Sequence, residues 1–123
     1  MGLQDRIEMV LPCKADYVIA ARLAASGIAG RLGFDIETVE DIKVAVSEVC
    51  TRIIDVSAGY EGLYKIIFDI FEDRLAITFT SEMEGVKCIF KDDDGLGMAI
   101  IDAFMDSVEF CPENNYILSM TKS

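Results

Sequence analysis

The sequence predicts an α+β sandwich, with three helices on one face of a mixed, mostly antiparallel sheet. Three observations lead there. The hydrophobic period switches between two and about 3.6 residues in the order β-α-α-β-β-α-β-β. The strands come in pairs joined by short polar turns, which favours antiparallel hairpins over crossovers. At 123 residues and 52% hydrophobic, with no repeat, linker or low-complexity segment, the chain has enough apolar surface for one core, and 1–123 reads as a single domain.

The elements follow in order. Residues 6–11 alternate, with Ile7, Met9 and Leu11 on one side, and Pro12 ends the strand. Over 15–32 the period becomes helical, with a stripe of Tyr17, Ala20, Ala21, Ala24 and Ile28 and with Gly33 as C-cap. Asp35 is a good N-cap, and Glu37 follows it in the first turn, so a second helix is expected over 36–56. Residues 63–70 and 75–80 form a hairpin around Glu72-Asp73-Arg74. A polar, mostly acidic loop spans 81–94. A third helix is expected over 96–107, with Leu96, Ile100, Ile101, Phe104, Met105 and Val108 inward, and a last hairpin joins 108–111 to 116–121 through P-E-N-N.

Composition excludes several function classes. A net charge of −11 would repel phosphates over most of the surface, so a nucleic-acid partner is not expected, and a protein partner would need a basic patch. The absence of histidine, and cysteines at 13, 50, 88 and 111 without a C-x-x-C pair, remove the usual zinc spacings and histidine general bases. Free, mostly buried thiols in a reducing cytoplasm are expected. The N-terminus M-G-L-Q-D-R-I-E has neither an apolar signal core nor the Ser/Thr of a myristoylation site, and no run approaches eighteen apolar residues. Neither membrane nor metal is expected.

Two stretches can carry chemistry. On the second helix, Ile42, Val46, Val49 and Ile53 define the core stripe. Glu48 sits about a third of a turn away on its shoulder, and Arg52 one turn further along. Such an i,i+4 pair is often no more than a surface ion pair. The other stretch is D-D-D-G-L-G-M-A-I-I at 92–101, where a glycine pair opens an amphipathic helix whose free amides suit a phosphate. A pair of glycines there is also a common way simply to begin a helix.

Together these stretches resemble the anti-sigma regulatory factors, serine protein kinases of the GHKL (histidine kinase-like) ATPase superfamily. The resemblance spans nearly the whole chain. It is most specific in D-I-K-V-A-V-S-E-V-C-T, similar to the family's N-box helix, and in G-L-G-M-A-I-I-D-A-F-M-D-S-V, similar to its second glycine box. It implies a GHKL-type fold, ATP and Mg²⁺ as cofactors, a sigma factor and an anti-sigma antagonist as partners, and a homodimer. It also implies that Glu48 stands where the family keeps its catalytic base and that Gly85, Gly95, Leu96 and Gly97 are nucleotide-binding positions.

Three departures set this chain apart. Arg52 replaces the asparagine that would supply an oxygen to Mg²⁺, and arginine has no acceptor. Ser81 and Met83 replace the aspartate and first glycine of the adenine box, although a one-residue slip would offer Glu82 or Glu84 instead. Only nine residues separate Gly85 from Gly95, and Asp92, Asp93 and Asp94 place three carboxylates where phosphates would arrive. That acidic run also suits a divalent ion or a helix N-terminus. ATP and Mg²⁺ are therefore expected to bind weakly or not at all, with Glu48 a vestigial base. A regulatory binding protein with a degenerate site is the leading reading, a working Mg-ATP-dependent serine kinase the alternative, and an unrelated α+β domain the third.

Overall fold

The computed structural model describes residues 2–57, 61–83, 89–90, 95–110 and 116–123. Glu84, Gly85, Cys88, Lys91 to Asp94, Cys111 and the 112–115 turn lie outside them. The elements are β1 (Leu3–Pro12), a 3-10 turn (Ala15–Tyr17), α1 (Val18–Arg31), α2 (Ile36–Val56), β2 (Leu63–Phe71), β3 (Leu75–Ser81), α3 (Leu96–Phe104), β4 (Ser107–Phe110) and β5 (Leu118–Lys122). The sheet order is β1-β2-β3-β5-β4. All four pairings are antiparallel, so the parallel component of a mixed sheet is absent among the described residues.

Register explains the layering. Phe68 pairs with Ile77 and Ile66 with Phe79, while Phe79 in turn pairs with Leu118 and Ile77 with Met120. Directly opposed residues share a face, and all of these are buried. The opposite face carries Arg6 bridged to Asp69 at 2.6 Å, Glu8 to Lys65 at 3.1 Å, and Thr78 hydrogen-bonded to Ser119 at 2.9 Å. The helices lie side by side with α2 in the middle, touching α1 and α3. Their buried residues join those of the inner sheet face in one cluster, which places all three helices on that face.

The helix ends follow local chemistry. Asp35 Oδ1 accepts the Thr38 N–H at 2.8 Å, which starts α2 and holds the Asp35 carboxyl below its usual range. Gly33 has φ +89, a left-handed conformation that closes α1 through Gly33 N–H to Gly30 O (3.1 Å) and Phe34 N–H to Ala29 O (3.4 Å). Lys122 Nζ donates to Phe104 O at 2.9 Å, capping the last turn of α3.

Two predicted faces need correction. Helix α1 buries Ala21, Ala25 and Ala29, with Tyr17 43% exposed, so its inner stripe is turned roughly a quarter of a revolution from the expected one. The helix is apolar nearly all round, and only the close approach of an alanine ridge to α2 decides which side faces in. On α3, Leu96 is 78% exposed while Met98, Ile101 and Met105 are buried. The helix also stops at Phe104, since 107–110 pair with β5.

Candidate functional site

Helices α2 and α3 leave a cavity of about 210 Å³ between them, lined by Glu48, Thr51, Arg52, Asp55, Phe90, Gly95, Leu96, Gly97 and Met98. Helical geometry builds its first wall: 48, 51, 52 and 55 are spaced by three and four residues, so they share one shoulder of α2. The first turn of α3 builds the second. Gly95 is its N-cap in extended conformation without a side-chain cap, and the first intrahelical bond is Ala99 N–H to Gly95 O at 3.2 Å. The amides of that turn have no partner within the helix, and they give this end of α3 a partial positive charge.

Glu48 and Gly97 meet closely. A Cβ at position 97 would lie 3.0 Å from Glu48 Oε2, so the missing side chain is what lets the carboxylate sit against the opening of α3. The expected Glu48–Arg52 ion pair is absent among the described residues; Glu48 leans toward α3, and Arg52 has an interaction of its own. Phe90, buried, closes the floor. Sequence reading placed it in a polar loop, and only its apolar neighbour Ile89 hinted otherwise. Thr51 and Asp55 were also missed, though their spacing from Glu48 and Arg52 was signal enough.

The structure thus brings Glu48, Gly95, Leu96 and Gly97 together, with Leu96 contributing as the exposed first residue of α3. Ser81 stands apart from this lining, at the end of β3. Its hydroxyl donates to Leu63 O at 3.0 Å and accepts the Met83 N–H at 3.1 Å, so it pins a turn. The Met83 side chain then lies on Gly62, whose Cβ, if present, would be 2.1 Å from Met83 Sδ.

Beneath α2, the buried Tyr64 hydroxyl finds no oxygen or nitrogen partner and rests beside the Cys50 thiol. Burial pushes Cys50 up to about 11 and raises Tyr64 well above the usual phenol range. Cys13 and Cys50 are free thiols, Cys13 half-buried and Cys50 buried.

These donors suit a phosphate better than a divalent ion. The opening of α3 and Arg52 are cationic or partly so. Among the described residues, Glu48 and Asp55 are the only carboxylates lining the cavity, no group of three metal-ligating side chains occurs, and Arg52 would repel a cation beside them. The residues present therefore do not fit Mg²⁺ at the position of Arg52.

A helix layer on an antiparallel sheet, with a glycine-opened helix facing a glutamate, defines a class of nucleotide-binding domain. The chain belongs to the family of histidine kinase-like ATPase domains, whose model matches residues 11–122. It is similar to the serine-protein kinase RsbW of Halalkalibacterium halodurans, at 35% identity over 134 residues covering 96% of this chain and 83% of that protein. It is also similar to the serine-protein kinase RsbW of Bacillus cereus strain Q1, at 32% over 137 residues covering 96% and 84%. No helix among the described residues is long and apolar enough to cross a membrane.

Proposed function

We propose that this chain is an anti-sigma-type regulator, which controls transcription by holding a sigma factor, an anti-sigma antagonist or both. In this reading it works as a cytoplasmic homodimer, and its ATP site is degenerate, with little kinase activity. Arg52 carries the reading. It stands one turn from Glu48 in the wall of the cavity, where it offers donors only, so a bound phosphate group has no metal bridge to the glutamate. The turn at Ser81 supports it further, because that hydroxyl is already engaged within the protein. The likeness to serine-protein kinases over 96% of the chain supports the choice of partners.

The alternative, an active Mg-ATP-dependent kinase of an antagonist's serine, draws on the same likeness to serine-protein kinases and on Glu48, which still meets the first turn of α3 at Gly97. Two assays decide. Incubation with labelled ATP and the antagonist is expected to leave the antagonist unphosphorylated; label transferred to its serine selects the kinase. Co-purification with the sigma factor or antagonist is expected, and failure to retain either rejects the regulator. Sedimentation at micromolar concentration is expected to give the mass of two chains.

A further inference from the structure

The two edges of the sheet differ. β4 at one end has four residues, whereas β1 at the other has ten and, among the described residues, pairs only on its β2 side. A long edge with unpaired backbone groups invites another strand unless charges or prolines blunt it. The proline of β1 stands at its very end, and Arg6 and Glu8 carry opposite charges that are already bridged within the chain, to Asp69 and Lys65.

The core is also open along this edge. Ile7 pairs with the buried Phe68, so it belongs to the helix-covered face, as do Met9 and Leu11 opposite Ile66 and Tyr64. That face is buried along β2 and β3, but on β1 the cover fails toward the start of the strand: Leu11 is buried, Met9 half-buried and Ile7 43% exposed. Leu3 and Val10 add further exposed apolar surface.

We propose that β1 pairs antiparallel with β1 of a second copy of this chain, about a twofold axis at Ile7, which joins two five-stranded sheets into one. This rests on the reading of the protein as a homodimer and deepens it by assigning the surface and the register. A twofold axis normal to the sheet keeps both helix layers on the same side, so the axis falls between a residue and its own copy. Centred on Asp5, Arg6 or Glu8, the pairing sets a charge against itself. Centred on Met9, it leaves Glu8 and Arg6 facing Val10 and Pro12. Centred on Ile7, it sets Arg6 against Glu8 of the second copy at two symmetric contacts, and Ile7 against Ile7 where the core is open. The side chains of Arg6 and Glu8 remain 53% and 48% exposed, so they can make these contacts beside their own bridges. Asp5, the third charge of the strand, stands next to the register shift at Leu3.

Sedimentation of the full chain and of two charge variants tests the register. Arg6→Glu sets acid against acid at both contacts, and Glu8→Arg sets base against base. Each alone is expected to dissociate at least about tenfold more readily than the parent. Mixed in equal amounts, the two variants restore opposite charges at both contacts. They are expected to form a species with one chain of each, within about threefold of the parent's affinity. Ile7→Lys leaves the bridges to Asp69 and Lys65 untouched and decides should the charge variants lose their fold: folded single chains are expected, and a dimer as tight as the parent overturns the proposal. A parent dimer that neither charge variant loosens overturns it while sparing the homodimer, as do two weakened, folded variants that mixing does not rescue. A parent that stays a single chain at tens of micromolar overturns the homodimer as well, and leaves β1 to a strand of another protein. Partner capture and phosphate transfer are read separately, so failure of the regulator leaves these results unchanged.

Discussion

Glu48 and Arg52 stand one helical turn apart without bridging, because the carboxylate is drawn to the opening of α3, where Gly97 makes room for it. Arg52→Asn is therefore expected to fold normally, with a stability change within about 1 kcal/mol, as befits an exposed charged side chain. It should still hold its protein partner and transfer no phosphate to an antagonist, since Ser81 and Met83 are unchanged. A urea titration and a labelled-ATP assay check both halves, and label transferred by the variant alone would show Arg52 to be the only block. Gly97→Ala probes the other contact. Among the described residues the added methyl meets only the flexible end of Glu48 at 3.0 Å, while alanine outranks glycine within a helix by about 1 kcal/mol. The expected outcome is equal or higher stability, by up to about 1 kcal/mol, with Glu48 displaced from α3. A clear loss of stability in denaturant would mean that Glu48 is rigidly held there.

Between elements, one glycine inside α1 and one just past its end have opposite expected responses. Gly33 sits just past its end at φ +89, and this conformation lets its own N–H reach Gly30 O and the Phe34 N–H reach Ala29 O. A Cβ there meets no neighbouring atom, so the cost of Gly33→Ala is conformational alone, about 1–2 kcal/mol of stability lost. Gly27 lies inside the helix with open space around it, and Gly27→Ala should add up to about 1 kcal/mol. Thermal or urea denaturation of the two variants should move in opposite directions; movement in the same direction would contradict the backbone geometry. Helix α3 needs its cap from outside, since Lys122 of β5 closes its last turn and ties the helix to the sheet.

Across the whole molecule the core runs from the alanine ridge of α1 through α2 to Phe68, Phe79 and Met120 of the sheet, and it encloses two titratable groups. Burial raises the Cys50 thiol from 9.0 to about 11. The neutral form is thus the one the fold favours: its contribution is fully present below pH 9 and is lost as pH rises through about 11. Tyr64, raised by burial as well, extends the loss above pH 10. Stability by urea denaturation should be level from pH 7 to about 8.5 and fall beyond 9, with the Cys50 share on the order of 2–3 kcal/mol. Cys50→Ala should lower the plateau slightly through a small cavity and flatten the slope between 9 and 11. An unchanged slope would show that the thiol has access to water.

Much of this architecture can be read along the chain because the signals are local. The apolar strand pattern of 63–70, the Asp35 cap, Gly33 after an alanine-rich helix and the 72–74 turn each depend on a few neighbouring residues, and each matches an observed element. The likeness of the Glu48 helix and of the G-L-G segment to the ATPase family is local in the same sense. Which side of α1 turns inward was not local, because Ile19 and Leu23 are as apolar as the alanines that are buried, and packing against α2 made the choice. Nor was the fate of Glu48 and Arg52, since helical spacing places them as neighbours and α3, from nearly fifty residues away, separates them. The sequence by itself determined the elements and the family; the tertiary structure decided which side chains face the cavity, because that depends on atoms brought together only when distant segments pack.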